Sequence, residues 1–89
     1  MTLPFQETKI SDNTFIREFS QNTDSGEYYW HRDKENRIIE SIGETDWMIQ
    51  MDNELPKKIK EEIFIPMGVY HRLIKGTGDL VIRLVKLVQ

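Results

Sequence analysis

The chain has 89 residues, a net charge of −3 at pH 7 and no cysteine. Without cysteine it has neither a disulfide nor a thiolate zinc site to stabilise its small core, and such domains often self-associate, so we expect a homodimer. The acidic balance argues against nucleic-acid binding, and no apolar stretch approaches the roughly 18 residues of a membrane span. The first residues lack the basic and apolar regions of a signal peptide, so we expect a cytoplasmic location.

Residues 1–26 are mostly polar, and one apolar stretch, Phe15–Phe19, interrupts them. Five residues fit either one helical turn or a short strand with alternate side chains on one face, and periodicity does not decide between them. The following segment, 21–26, consists almost entirely of turn-forming residues. We therefore expect an N-terminal arm at 1–26 and a strand-rich body at 27–89, within one domain.

From residue 27 onward, aromatic and β-branched stretches recur between turn residues, at a spacing typical of a sandwich or barrel. The predicted strands are 27–31, 37–42, 47–51, 63–65, 70–74 and 79–88. The last of these is apolar on both faces, so both should be covered, one by the barrel interior and the other by a sheet or a partner subunit. The one basic cluster, 57–60, runs straight into two glutamates, and we interpret it as a solvated edge. The pattern predicts an all-β fold.

Two segments carry the only two histidines of the chain. In an extended strand, residues two apart share a face, so His31 and Asp33 are expected to point the same way. His71 follows a turn in which Pro66 ends a strand, because proline cannot donate to the ladder, and Gly68 permits a tight reversal. We predict that both histidines face one pocket.

The second segment resembles the second sequence motif of the cupin family, whose members are small double-stranded β-helix (jelly-roll) barrels. The shared pattern is Pro-x-Gly-x-x-His, which ends here at His71. The stretch from His31 to Gly43 is similar to the first cupin motif. The resemblance implies a cupin-like barrel in which His31, residue 33, residue 37 and His71 surround one site. Asp33 stands where the family has a second histidine, and Arg37 stands where it has a metal-binding glutamate.

Two histidines and one aspartate with open positions form the facial arrangement of non-haem Fe(II) oxygenases. The related 2-oxoglutarate oxygenases, built on the same type of barrel, have His-x-Asp, a later histidine and a basic residue about one strand further on. His31, Asp33, His71 and Arg83 occur here in that order. This resemblance implies a divalent transition metal (Fe, Mn, Ni or Zn) held by the first three residues. Arg83 or Arg37 would then hold a substrate carboxylate.

Two other interpretations stay open. If Arg37 pairs with Asp33, it places a cation where the metal would lie, and the barrel would bind no metal. A small anionic or sugar-like ligand would then contact Arg37, the two histidines and nearby aromatic residues, for which Tyr28, Trp30 and Trp47 are the candidates. The third interpretation is a non-catalytic interaction module without a cofactor. Because the sequence has no nucleophile elbow, phosphate loop or dinucleotide fingerprint, it assigns neither a reaction nor a catalytic residue.

Overall fold

Strand pairing is antiparallel throughout residues 5–87, the part of the chain that the computed structural model describes. The start of the predicted arm (residues 1–4) and the end of the last predicted strand (Val88) lie outside the described residues. The strands found between these limits are β1 (Gln6–Lys9), β2 (Thr14–Phe19), β3 (Asn36–Ser41), β4 (Met48–Met51), β5 (Lys57–Lys58), β6 (Ile63–Ile65), β7 (His71–Ile74) and β8 (Leu80–Leu87).

The strands form two sheets. One has the order β1-β2-β8-β3-β6 and the other the order β5-β4-β7. The stretch that fitted both a helical turn and a strand is strand β2, which pairs with β8 from Thr14 opposite Val85 to Phe19 opposite Leu80. The five-stranded sheet therefore contains strands from both sides of residue 26. The first two lysines of the basic cluster form the exposed edge strand β5, in agreement with the interpretation as a solvated edge, whereas Ile59 of the same cluster is buried in the core.

One predicted strand is wrong. Residues 27–31 do not form a strand: Gly26–Tyr28 is a short 3-10 helix, and His31 makes only an isolated bridge. The hydroxyl of Ser25 accepts a hydrogen bond from the N–H of Glu27 at 3.1 Å. Such a local bond offers the backbone an alternative to ladder pairing, which an aromatic-rich composition does not reveal.

The inward faces of both sheets meet in one apolar core. Strand β8 shows the alternation most clearly, since Leu80, Ile82 and Leu84 are buried and the residues between them are half-buried. The core is formed by Phe19, Ile39, Trp47, Ile49, Met51, Ile59, Ile63, Ile65, Leu73, Leu80, Ile82 and Leu84. The outer face of β8, for which cover was also expected, is only partly covered within the chain.

One end of the core is sealed by the segments that precede β4 and follow β7, and we call it the closed end. Trp47 is 0% exposed there, and its indole N–H donates to the carbonyl of Gly78 at 3.0 Å. The carboxylate of Asp46 accepts hydrogen bonds from the N–H and the hydroxyl of Thr77, at 2.8 and 2.9 Å. A Cβ atom on Gly76 would lie 2.2 Å from Asp46 Oδ1 and 2.8 Å from the backbone nitrogen of Trp47, so only glycine fits this approach.

Candidate metal centre

The two histidines meet at the opposite end of β7, where its first residue pairs with the loop after the 3-10 helix. The N–H of His31 donates to the carbonyl of His71 at 3.0 Å, and the N–H of His71 donates to the carbonyl of His31 at 2.8 Å. Their ring centroids are 4.3 Å apart. The reversal before His71 is closed by a hydrogen bond from the N–H of Val69 to the carbonyl of Pro66 at 3.2 Å, with Gly68 at a φ of 80°. The two imidazole rings therefore lie side by side, and of the two only His71 is among the residues that line the cavity described below.

The residues flanking this bridge form two cross-strand stacks, which we call the cation–π clamp. The guanidinium of Arg72 lies 4.9 Å from the ring centroid of Trp30, and that of Arg32 lies 5.3 Å from the ring centroid of Tyr70. Arg72 also donates two hydrogen bonds to Oε1 of Gln50, at 2.9 and 3.1 Å. A cation–π contact at an exposed site contributes about 0.5–1 kcal/mol. Because residues next to each other on a strand point to opposite faces, the clamp holds the bridge from outside while the histidines point inward.

Both imidazole rings are held in one tautomer. Nδ1 of His31 lies 2.8 Å from the carbonyl oxygen of Tyr29, and Nδ1 of His71 lies 2.9 Å from that of Val69. A carbonyl oxygen only accepts hydrogen bonds, so each Nδ1 carries the hydrogen. Each Nε2 is then the atom available to the barrel interior, which is the arrangement that outer partners impose on metal-binding histidines.

The two carboxylate oxygens of Asp33 face different partners, one His71 and the other Arg37. Its Oδ2 lies 3.2 Å from Nε2 of His71, and its Oδ1 lies 3.4 Å from a terminal nitrogen of Arg37. Burial alone would raise the pKa of Asp33, but the nearby His71 and Arg37 side chains outweigh burial and hold the pKa below its usual value. Arg37 therefore does pair with Asp33, yet it engages one oxygen and leaves the other directed toward His71.

His31 and Glu27 form a second charged pair, in direct contact through Nε2 and Oε2. Burial lowers the pKa of His31, but the Glu27 carboxylate and the Tyr29 carbonyl raise it above its usual value overall. Burial raises the pKa of Glu27, but His31 and Arg17 lower it overall. Each of these two side chains therefore favours the charged form of the other.

These side chains fit a divalent metal ion. One donor atom from each of His31, Asp33 and His71 lies within 4.8 Å of the other two. Two of the relevant atoms, His31 Nε2 and Asp33 Oδ2, are buried and make no aligned hydrogen bond, although each lies close to a charged neighbour. Buried polar atoms are rarely left in this state without an ion or water to serve them. Two imidazoles and a carboxylate are a donor set that Fe, Mn, Ni and Zn accept.

The cavity that Asp33 and His71 line is small, with a volume of about 20 Å³. A single water molecule needs roughly 10–15 Å³, so the cavity accommodates a water or an ion but not an organic molecule. It is lined by Arg17, Phe19, Glu27, Asp33, Arg37, Ile39, Ile49, Ile65, His71, Leu73, Ile82 and Leu84.

The five predicted ligand-binding residues do not come together at one site. Arg37 lines the cavity, whereas Arg83 lies on the outer face of β8 and pairs with two glutamates there. Trp47 is fully buried at the closed end and Tyr28 packs against it, with ring centroids 5.7 Å apart. Trp30 is 45% exposed and belongs to the cation–π clamp. Of these five residues, only Arg37 lines the cavity.

Sequence reasoning missed two charged residues of the site, Arg17 and Glu27. Arg17 is 7% exposed, and it donates to Glu7 at 2.5 Å and to Glu27 at 3.1 Å. A signal for Arg17 was present, because it alternates with Phe15 and Phe19 and a strand therefore buries it with them. Glu27 carried no such signal, since a 3-10 helix rather than a strand positions it.

Solved structures with the same architecture include two cupin domains. No family model matches the sequence, and a search of curated proteins finds no significant match. A cupin domain from Bordetella pertussis Tohama I aligns over 100% of this chain and 99% of its own, with a TM-score of 0.62 and 14% identity. A cupin-2 domain containing protein from Shewanella frigidimarina aligns over 93% of this chain and 79% of its own, with a TM-score of 0.65 and 14% identity.

A third structure, the DMSP lyase DddQ from Ruegeria pomeroyi DSS-3, aligns over 97% of this chain and 48% of its own, with a TM-score of 0.70 and 13% identity. The chain therefore has the cupin fold, and the predicted fold class is confirmed. Sequence identities this low support only the assignment of the fold.

Among residues 5–87, no helix is long and apolar enough to cross a membrane. The homodimer and the cytoplasmic location stay predictions.

Proposed function

We propose that the chain binds one divalent transition metal ion, through Nε2 of His31, Oδ2 of Asp33 and Nε2 of His71. One observation carries this proposal: two of these three atoms are buried without an aligned hydrogen bond, and Asp33 and His71 line a cavity that has room for an ion. Charge supports it as well. The carboxylates of Glu7, Glu27, Asp33 and Glu35 outnumber the guanidinium groups of Arg17 and Arg37 by two, so a divalent cation balances the network.

An ion at this position would supply Lewis acidity to an oxygen atom of a small molecule. The residues of the chain set the conditions for this chemistry. The carbonyls of Tyr29 and Val69 fix the imidazole tautomers. The contact between Arg37 and Oδ1 of Asp33 restricts rotation of the carboxylate. Because the interior has no room for an organic group, a substrate would approach from the rim, where Trp30 is exposed.

A metal-free site for an anionic ligand is less well supported. The guanidinium of Arg37 already contacts two carboxylates, Asp33 at 3.4 Å and Glu35 at 3.1 Å. An incoming anion would have to replace one of them and would add negative charge to a network that already carries an excess. One structural neighbour with this fold is a lyase, but that activity belongs to the neighbour, and we assign no reaction to this chain.

Metal analysis tests the proposal directly. Purified protein is stripped with a chelator, reconstituted separately with Fe(II), Mn(II), Ni(II) and Zn(II), desalted and measured by mass spectrometry of the metal content. We expect about one ion per chain with at least one metal and a higher Tm in its presence, because a ligand at 100 times its Kd stabilises the native state by about 2.7 kcal/mol. Both effects should disappear in His71→Ala and in Asp33→Asn.

A matched control is Asp52→Asn, which makes the same chemical change at an exposed aspartate next to β4. It should retain full metal content. The proposal is wrong if wild-type protein binds none of the four metals stoichiometrically, or if His71→Ala retains the ion. A rise in Tm on adding a carboxylate to chelator-treated protein, with no effect of metal, would favour the metal-free interpretation.

A further inference from the structure

Glu27 reaches the metal site from a different element than the other donors: His31 and Asp33 precede β3, and His71 begins β7. It lies in the 3-10 helix Gly26–Tyr28, four residues before His31, and its side chain is 19% exposed. One carboxylate oxygen contacts Nε2 of His31, and the other accepts a hydrogen bond from Arg17 at 3.1 Å. Glu27 also lines the same cavity as Asp33 and His71. It stands beside the three-residue donor set, in contact with one of its ligand atoms.

The outer partners of these side chains follow a repeated pattern. Each histidine is held through Nδ1 by a main-chain carbonyl. Each of the two carboxylates is held by an arginine, Asp33 by Arg37 and Glu27 by Arg17. Metal ligands are commonly held in this way by a second layer of hydrogen-bonding partners, which fixes their orientation and charge. Glu27 therefore has the same kind of support as Asp33, although it lies on a different element.

Glu27 points at the same imidazole atom that would bind the ion. Its Oε2 is in contact with Nε2 of His31, while its other oxygen stays hydrogen-bonded to Arg17. An ion bound to this Nε2 would therefore lie next to the Glu27 carboxylate, whose side chain is only 19% exposed. A largely buried carboxylate gains most there by binding the ion itself.

Building on the proposed metal function, we propose that Glu27 is a fourth protein ligand of the ion, so that the donor set is two histidines and two carboxylates. In this arrangement Arg17 orients Glu27 and Glu7 balances the charge of Arg17, with which it makes a contact of 2.5 Å. The carboxylate ligand that is missing at residue 37 would thus come from residue 27.

The experiment combines affinity with the electronic spectrum of the bound ion. Isothermal titration of the chelator-treated protein with Zn(II) gives the Kd, and absorption spectra of the Co(II)-loaded protein report the number and type of ligands. We expect Glu27→Gln to weaken the Kd by at least about 10-fold, as even loss of an outer partner commonly does, and to change the visible Co(II) bands. The control Glu61→Gln makes the same change at an exposed glutamate that does not line the cavity, and it should leave both the Kd and the bands unchanged.

The outcomes separate the two proposals. If wild-type protein binds neither Zn(II) nor Co(II), the metal function itself is wrong. If wild type binds and Glu27→Gln has the same Kd and the same spectrum, the fourth ligand is wrong and the metal function stands. A weaker Kd with unchanged Co(II) bands would also overturn the ligand role, because Glu27 would then act only by orienting His31. Should Glu27→Gln fail to fold by circular dichroism, Glu27→Asp, which keeps the charge and shortens the reach, must change the bands for the proposal to hold.

Discussion

The two ends of the barrel interior are built from the same strands but from opposite chemistry. Strands β4 and β7 pair from Met48 opposite Ile74 to Met51 opposite His71, so they run from the closed end to the metal centre. At the closed end Trp47 is fully buried and its one polar atom is satisfied by a carbonyl. At the metal centre, Asp33 contacts His71 and Arg37 at 3.2 and 3.4 Å. Two buried polar atoms there, His31 Nε2 and Asp33 Oδ2, make no aligned hydrogen bond.

This difference separates stability from function. Apolar burial stabilises a small domain reliably, whereas buried ion pairs approximately repay the cost of removing charges from water. A buried charged cluster therefore adds little to the free energy of unfolding, but it can bind an ion. We expect substitutions at the closed end to act on the free energy of unfolding, and substitutions at the metal centre to act mainly on metal affinity.

The largest expected effect is at the closed end. Trp47→Ala should reduce the free energy of unfolding by about 3–5 kcal/mol, because a fully buried aromatic side chain is lost and a cavity remains. The matched control is Trp30→Ala, the same change at a tryptophan that is 45% exposed, with an expected loss of about 1 kcal/mol. Urea denaturation of the metal-free proteins measures both values. Similar losses for the two tryptophans would break the comparison between the two ends.

The next effect concerns the buried arginine of the metal centre. Arg17→Met should cost about 2–3 kcal/mol, less than breaking a fully buried pair because Glu7 and Glu27 remain partly exposed. Adding Glu7→Gln and Glu27→Gln should recover part of the loss, since no uncompensated charge then remains. Denaturation of the single and triple variants provides the test, and a triple variant less stable than the single one would show that the charges are not the cause.

A smaller effect is expected from the cation–π clamp. Arg72→Ala removes the stack on Trp30 and the hydrogen bonds to Gln50, for a loss of about 1 kcal/mol. It should also weaken Zn(II) binding in a calorimetric titration, because the bridge that sets the two imidazole positions is loosened. Arg83→Ala, the same change on the outer face of the other sheet, should leave the Kd unaltered. Equal Kd values for both variants would exclude a positioning role for the clamp.

The smallest effect is pH-dependent and belongs to the closed end. Hydrogen bonds from the N–H and the hydroxyl of Thr77 lower the pKa of Asp46 below its ordinary value of 3.8. A carboxyl group with a lowered pKa contributes stability above its unfolded-state pKa, and this contribution is lost as the pH falls through the folded-state pKa. Asp46→Asn should therefore lower the Tm slightly at neutral pH, and the difference from wild type should shrink below about pH 4. A difference in Tm that is constant with pH would rule out the charge of Asp46 as its source.

The strand positions in the second half of the chain were predictable, because β-branched and aromatic stretches between turn residues leave little choice of secondary structure. The meeting of His31, Asp33 and His71 was also accessible, through the i, i+2 rule and the Pro66–Gly68 reversal. The segment 27–31 could not be predicted in this way, since one hydroxyl of Ser25 competes with strand pairing and composition does not show it.

By itself, the sequence determined which residues alternate along each strand and which turns deliver the histidines, because both depend on neighbours a few residues away. The tertiary structure alone decided which face of each strand turns inward and which distant residues share the cavity. Pairing of β2 with β8 brings Arg17 into the interior, while the same sheet turns Arg83 outward. The 3-10 helix brings Glu27 against His31. These placements depend on the register between strands far apart in the chain, which local periodicity does not encode.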